Sequence, residues 1–499
     1  MKTCVLISVV ALALAAGADG KADFARPHVQ PTPRHAEWKL NRCVELKDGI
    51  CVRLGLDAER NESVRWLGRQ FGEAFKVSAR VQAGTESCER EMEADAYRLR
   101  LDGNGVRIDA HGLAGVRYAF QTLRQMVMPK RGTLKVEGWI APACDIKDAP
   151  ASKFRGMHLC WFPETDVRLV ERCIRLAGYY KMNAVVLETW GTFRSERHPW
   201  LGWKDGRMTK AEIQRLRGIA DDLGVTLIPQ VNVFGHASMS RGASGKHAVL
   251  DLSPEYQALY EPGGWNWCLS NPSARQVIDD LVIELHEAFG NPPYFHIGCD
   301  EAGEPRCPDC RAADYVKLVA DHITHVAKLL ESRHARAMMW HDMLLKKGEF
   351  KPFYANAKHG EERMLGEIPK SIVICDWFYD DHVQTNYPTF GHFRDAGHDV
   401  LTCPWENGVT ATEAMAKALR TAGGLGLLGT TWHHAYRNMI GRQFVASAAA
   451  AWGTSADSYD FDEHWRQMGW DAGIGDYGDC GYASEQIPSS TNPEIVPRN

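Results

Sequence analysis

FRGMHLC (residues 154–160) and NAVVLET (183–189) are short apolar runs of strand length, and residues 166–181 between them carry apolar positions at helical spacing. The exchange then repeats. VTLIPQV (225–231), YFHIG (294–298), RAMMW (336–340), SIVICD (371–376), HDVLTC (398–403) and LGLLGTT (425–431) read as strands. Helical patterns occupy 209–223, 272–289, 311–333, 387–396 and 410–421, and a further run lies near 440–452. Eight strands alternating with helices over roughly 300 residues predict a (β/α)8 TIM barrel, an α/β fold, spanning residues 151–455. A doubly wound sheet rarely needs so many strands, and no Gly-rich phosphate turn follows the first one.

Working outward, residues 97–101 (YRLRL) and 106–109 (VRID) alternate on either side of the turn Asp102-Gly103-Asn104-Gly105, which predicts a hairpin. A helical pattern follows over 113–127, and Pro142 and Pro150 bracket a linker-like stretch. A small α+β domain over 19–150 is therefore expected to precede the barrel. At the start of the chain, Lys2, the apolar run 4–16 and the small residues Ala16-Gly17-Ala18 read as a signal peptide over 1–18, cut after Ala18. That predicts export to the periplasm or medium. The Gly-, Asp-, Tyr- and Ser-rich stretch 456–499 reads as a surface tail.

Composition narrows the function. The 499 residues carry 58 Lys and Arg against 63 Asp and Glu, a net charge of −5. No basic surplus is present to neutralise a phosphate backbone, which argues against nucleic acid as a partner. The apolar leader is too short for a membrane span, and no later run is long enough. Sixteen Trp are many for this length, and indoles stack on the apolar faces of sugars as readily as they fill cores.

Catalytic residues of such barrels sit just past the C-terminal ends of strands. Those positions hold Glu188-Thr189-Trp190, Asn232 through His236, Cys299-Asp300-Glu301, Trp340-His341-Asp342, Asp376-Trp377, Trp405-Glu406 and Trp432-His433-His434. Trp, carboxylate and His gathered at one rim describe a pocket that binds and cleaves a sugar. Strand one carries Arg155 at its start.

These residues also carry a resemblance. Tyr294 through Glu301 resembles the His-x-Gly-x-Asp-Glu signature of the family 20 glycoside hydrolases, the β-N-acetylhexosaminidases. Leu227 through His236 resembles the family's strand-three motif ending in Gly-His, and Arg155-Gly156 its strand-one Arg-Gly. Trp340 and Trp432 resemble Trp positions of strands five and eight. Ala114 through Gln125 is similar to the helix of the family's small leading domain.

The resemblance implies a retaining exo-glycosidase acting on a glycan with a terminal β-linked N-acetylhexosamine. The substrate's own 2-acetamido oxygen then serves as nucleophile, and no cofactor or catalytic metal is required. It implies Glu301 as general acid/base, Asp300 as partner of the acetamido N–H, and a relay of Glu188, His236 and Glu301. Arg155, Trp340, Trp377, Trp405, Trp432 and His433 become substrate-binding candidates. Departures also show. The family's strand one runs on to an Asp and an Arg where this chain reads Cys160-Trp161-Phe162-Pro163, and His433-His434 stand where strand eight carries Glu. A strand-seven Tyr has no match near Cys403-Pro404-Trp405. Altered sugar specificity, or a glycan-binding barrel with little or no activity, are the alternatives these departures leave open. Cys307-Pro308-Asp309-Cys310 could pair as a disulfide, stay as thiols, or bind zinc together with Cys299.

Overall fold

Alternation at period two governs the barrel. The computed structural model describes residues 26–46, 50–54, 79–83, 95–162, 165–189, 191–202, 208–238, 250, 253–380, 382–405, 409–432 and 438–455. The expected signal peptide, the expected tail, Trp190, Glu406 and His433 lie outside them. Strands β8 (Phe154–Trp161), β9 (Ala184–Thr189), β10 (Thr226–Gln230) and β11 (Tyr294–His296) form one half of the barrel; β12 (Arg336–Trp340), β13 (Val373–Phe378), β14 (Asp399–Pro404) and β15 (Gly426–Gly429) form the other. They close into one barrel in the order β10-β11-β12-β13-β14-β15-β8-β9, every pairing parallel.

One residue set along these strands, with Phe154, Ala184, Val186, Ile228, Met338, Val373, Leu401 and Leu428, packs into a single interior cluster. The alternate set, with Met157, Leu159, Val185, Leu187, Leu227, Phe295, Ala337, Met339, Ile374 and Val400, packs beneath the helices. Both strand faces are thus buried, which is why the strands read as near-continuous apolar runs. Going up the interior, residues turn polar and aromatic: His158 and Cys160 on β8, Glu188 on β9, Gln230 on β10, His296 on β11, Trp340 and Trp377 on β12 and β13. The sequence places the helices between them by familiar signals. Asn271 caps Pro272–Ala288 by accepting from Ser273 N, with Pro at the first position. Thr209 and Glu212 start Lys210–Leu223, which ends on left-handed Gly224.

The chain divides at Ala149–Pro150 into two compact units. The leading one holds β1 (His35–Glu45), β2 (Ile50–Leu54), β3 (Ala79–Ala83), β4 (Tyr97–Asp102), β5 (Gly105–Ala110), β6 (Met128–Arg131) and β7 (Val136–Asp148). Its sheet order is β1-β7-β4-β5-β2-β3, with β6 on β7, and the expected hairpin is β4–β5. The helix α1 (Leu113–Met126) buries Thr122 and Leu123. Tyr97 Oη lies 2.6 Å from Thr122 Oγ1 and donates to Asp148 Oδ2 at 2.8 Å, tying that helix to the sheet.

Arg155 requires a correction. As the second residue of β8 it lies at the barrel's N-terminal end, and alternation turns its side chain outward. It is 1% exposed; its Nη1 donates to Ser152 O at 2.8 Å and its Nε to Lys181 O at 3.1 Å. Its guanidinium also sits over the Trp452 ring. A buried side chain at the N-terminal pole of a barrel serves stability rather than chemistry. Arg155→Met should therefore lower stability by roughly 2–4 kcal/mol, because buried carbonyls lose their donors. The kcat/KM of the folded fraction should stay within about threefold. Urea unfolding beside initial rates checks this; a stable variant that has lost most of its turnover would return Arg155 to the pocket.

Candidate active site

The site forms where β11 stops being a strand. After His296 the backbone keeps barrel hydrogen bonds, Ile297 N to Met338 O at 2.8 Å and Trp340 N to Gly298 O at 3.0 Å. It then turns through left-handed conformations at Gly298 (φ 68°), Cys299 (φ 76°) and Glu301 (φ 47°). Such backbone is uncommon for side-chain-bearing residues and clusters at functional sites. Two glycines admit it: a Cβ on Gly298 would strike the Asn232 side chain, and one on Gly235 the Asp300 carbonyl. The next residue, His236, is also left-handed (φ 55°), so two distorted turns face each other.

This backbone splits the adjacent carboxylates. Asp300 sits low in the mouth with a side chain 10% exposed, and Glu301 stands at the rim with 52% exposed. His236 bridges them, its Nε2 lying 3.3 Å from Asp300 Oδ2 and 3.4 Å from Glu301 Oε2. The Trp265 ring packs on His236 at 4.3 Å, and its Nε1 donates to Glu301 O at 2.8 Å. Asp342, beyond the end of β12, accepts from Glu301 N at 2.9 Å and from Asn356 Nδ2 at 2.8 Å, and faces Trp377 Nε1 at 3.4 Å. Burial, and then the negative charge of Asp300, push the Asp342 carboxyl up to about 6.

Aromatic rings wall the mouth. Trp377 stacks on Tyr354 at 4.3 Å, and Tyr379 lies 4.9 Å from Trp377 and 5.5 Å from Trp405. Trp432 Nε1 donates to Tyr379 Oη at 2.8 Å. Trp340 is fully buried, 4.3 Å from the His296 ring and 5.7 Å from Trp432. Burial drives the Tyr379 phenol well above its ordinary range, and Asp300 and Cys403 add to that rise. The Gln230 side-chain amide, His296 Nε2 and Trp340 Nε1 are buried around this mouth without a hydrogen-bond partner among the described residues. Burial, with His158 adding to it, lowers the His296 imidazole to about 3, so it is neutral at working pH.

Glu188 corrects the expected relay. It points into the barrel, but its Oε2 lies 3.1 Å from His158 Nε2 and accepts from Cys160 Sγ at 3.5 Å. His158 Nδ1 faces Thr431 O at 3.0 Å, and a carbonyl only accepts, so Nδ1 carries a proton. The contacts form two groups, His158 with Glu188 and His236 with Asp300 and Glu301. The cause is the alternation of β8, which sends His158 and Cys160 inward beside Glu188. Cys299 is likewise drawn away from Cys307 and Cys310: its thiol is buried and donates to Ile297 O.

Residues 26–149 match the family described as glycosyl hydrolase family 20, domain 2, and residues 182–437 match its catalytic domain. The chain belongs to glycosyl hydrolase family 20. It is 24% identical over 402 residues to a β-hexosaminidase of Vibrio furnissii, covering 71% of this chain and 60% of that protein. It is 28% identical over 348 residues to a β-N-acetylhexosaminidase of Cellulomonas fimi, covering 60% of this chain and 64% of the relative. The chain therefore spans a little under two thirds of these relatives. The family 20 exo-β-N-acetylglucosaminidase of Vibrio harveyi, solved with N-acetylglucosamine, shares its fold at a TM-score of 0.67 and 19% identity, covering 93% of this chain and 80% of that one. The N-acetyl-β-hexosaminidase of Streptomyces plicatus does so at 0.65 and 17%, covering 93% and 99%.

Asp342, which the sequence placed at a strand end without a role, joins this site, as do Tyr379, Trp265 and Asn356, which were not expected. Asp342 was legible as a carboxylate after a strand. The other three lie in loops, or one residue past a strand, where no periodic signal marks them.

The Asp342 carboxyl generates a pH prediction. In the unfolded chain an aspartate titrates near 3.9. Between pH ~4 and ~6 the folded protein keeps a proton that the unfolded chain has lost, so stability falls as pH rises through that window. The contribution is about 1–3 kcal/mol. Asp342→Asn cannot titrate. Its unfolding free energy should gain on wild type by that amount between pH 4 and pH 7, while its side-chain carbonyl can keep the hydrogen bond from Glu301 N. Urea curves at the two pH values check it; parallel shifts for both proteins would show that Asp342 does not hold the extra proton.

Proposed function

We propose that the protein is an exported retaining exo-glycosidase that removes terminal β-linked N-acetylhexosamine by substrate-assisted catalysis. The observation that carries the reading is the split between the two carboxylates, one sheltered and one at the rim, with His236 facing both. A conventional retaining enzyme needs two carboxyls about 5–5.5 Å apart across the scissile bond. Neighbours in sequence at one strand end suit a different division of labour. Glu301, at the rim, meets the glycosidic oxygen; Asp300, below it, meets the acetamido N–H.

In the first step the acetamido carbonyl oxygen attacks the anomeric carbon. The C1–O bond breaks, and the leaving oxygen takes the proton of Glu301. Asp300 accepts a hydrogen bond from the acetamido N–H and stabilises the positive charge of the oxazolinium. In the second step water attacks C1 while Glu301, now a carboxylate, takes its proton; the bond from C1 to the acetamido oxygen breaks, its electron pair restores the neutral acetamide, and the product keeps the β configuration. The gain comes mainly from an intramolecular nucleophile already in place. Tyr379, a phenol under the influence of the Asp300 charge, is suited to donate to the acetamido oxygen. Trp377, Trp405 and Trp432 supply apolar faces for the ring, and Gln230, His296 and Trp340 offer polar atoms to its hydroxyls. The His158–Cys160–Glu188 group makes this mouth unlike the family's strand-one pattern and supports an altered preference on one side of the sugar. The apolar leader over 4–16 supports export.

The test pairs two variants with two substrate classes. Glu301→Gln should lose about 10²–10⁴ in kcat on substrates with poor leaving groups and much less on those with good ones. Asp300→Asn should lose about 10²–10³ on 2-acetamido sugars, because a charge-assisted hydrogen bond made in the transition state is gone. Wild type should strongly prefer 2-acetamido over 2-hydroxy sugars. If it cleaves plain β-glucosides or β-galactosides equally fast, a two-carboxylate glycosidase is the better account. No turnover on any glycoside, with sugar binding retained, would favour the glycan-binding alternative.

A further inference from the structure

A second cluster lies beside the catalytic loop and takes no part in the reaction above. A short ribbon, closed by the antiparallel pairing of Tyr260 with Trp267 and by Cys268 N donating to Leu259 O at 2.9 Å, carries Glu261 at one end and Cys268 at the other. Six residues past Glu301, the Cys307-Pro308-Asp309-Cys310 turn presents its two thiols to this ribbon. Cys268 Sγ lies 3.7 Å from Cys307 Sγ and 3.9 Å from Cys310 Sγ. All four ligand atoms, three sulfurs and a Glu261 oxygen, fall within 4.8 Å of one another.

Two features of this cluster suit a metal better than a disulfide. A disulfide needs sulfurs about 2.05 Å apart. The observed separations instead match the edge of a tetrahedron whose Zn–S bonds are about 2.3 Å, which is roughly 3.8 Å. Cys310 N donates to Cys307 Sγ at 3.3 Å, which orients that sulfur within the turn. Finally, Glu261 is 3% exposed; its Oε2 accepts from Arg306 N at 2.7 Å and Cys307 N at 2.6 Å, while its Oε1 is buried with no hydrogen-bond partner among the described residues. A buried carboxylate oxygen without a partner is costly unless something positive meets it.

We propose that Cys268, Cys307, Cys310 and Glu261 bind one zinc ion. Four protein ligands close the tetrahedron and leave no open position, so the ion is structural. Its place explains what it does for the site. The ribbon that holds Glu261 and Cys268 also clasps Gly303 through Asn266, which donates to Gly303 O and accepts from Gly303 N at 2.7 and 2.9 Å. The same ribbon carries Trp265, which packs on His236 and binds Glu301 O. The ion therefore pins the left-handed loop of Glu301 to the roof over His236. This inference concerns metal binding and stands whether or not the glycosidase reading does.

The test uses the full chain purified with reductant and without chelator. Elemental analysis should find about one zinc per chain, and Cys310→Ser less than about a tenth of that. Stripping with chelator should lower the Tm by at least about 5 °C, restored by zinc. Cobalt(II) in its place should give the visible bands of a tetrahedral thiolate site. If Cys310→Ser does not fold, Glu261→Gln, which keeps an acceptor for the two amides, should hold zinc at least about tenfold more weakly than wild type. Wild type that binds no more zinc or cobalt than these variants, or peptide mapping that finds Cys307 joined to Cys310 or Cys268 in the isolated protein, would overturn the proposal.

Discussion

Negative charge crowded around the end of β11 is the constraint on which the site depends. Asp300 and Glu301 are neighbours in sequence, and Asp342 reaches them from the next strand. What meets these acids is one imidazole between two of them, and a backbone amide, a side-chain amide and an indole on the third. Like charges this near resist ionising together, and burial sharpens the effect. Burial raises the Asp342 carboxyl first, and the negative charge of Asp300 adds to that rise. The left-handed backbone from Gly298 to Glu301 is the conformation that lets adjacent carboxylates occupy different levels of the mouth. Glycine at 235 and 298 is what lets the two turns come so close.

The fold was legible because a parallel barrel leaves a strong trace in sequence. Both faces of each strand are buried, so β8 and β13 read as unbroken apolar runs, and amphipathic helices with caps separate them. Asp300, Glu301 and His236 were legible because they stand at the ends of such runs within a specific spacing. Arg155 and Glu188 mark where that reading stops. Position along a strand was clear in both cases, but the direction and partner of the side chain depend on alternation and on neighbouring strands. Alternation turns Arg155 outward at the wrong pole, and the inward His158 of β8 captures Glu188. Cys268 shows the same limit more sharply. Nothing in one dimension links it to Cys307 and Cys310, because a loop closure brings them together, and Cys299, closer in sequence, is folded elsewhere.

Barrel, ribbon and catalytic loop therefore form one chain of support. The closed sheet fixes where β11 and β12 end, and Asp342 on the second holds the backbone of Glu301 on the first. The ribbon from Leu259 to Cys268 covers His236 and grips the loop beyond Glu301 at Gly303 and Cys307. Rim loops of a barrel are ordinarily its least restrained parts. Here Glu301 is held from below by a buried carboxylate and from beside by a ribbon, the restraint that the general acid proposed above would need.

The central claim is that the nucleophile belongs to the substrate and that Asp300 serves it. The most direct measurement replaces the acetamido methyl hydrogens of an aryl β-N-acetylglucosaminide by one, two and three fluorines. Each fluorine withdraws electrons from the carbonyl oxygen without changing the leaving group. The account predicts that kcat/KM of the wild type falls steeply along the series, by about tenfold per fluorine, or about 1.4 kcal/mol of barrel-bound transition-state energy at each step. A flat series would mean that a protein carboxylate attacks the anomeric carbon, and would contradict the assignment of Asp300 and of the mechanism built on it.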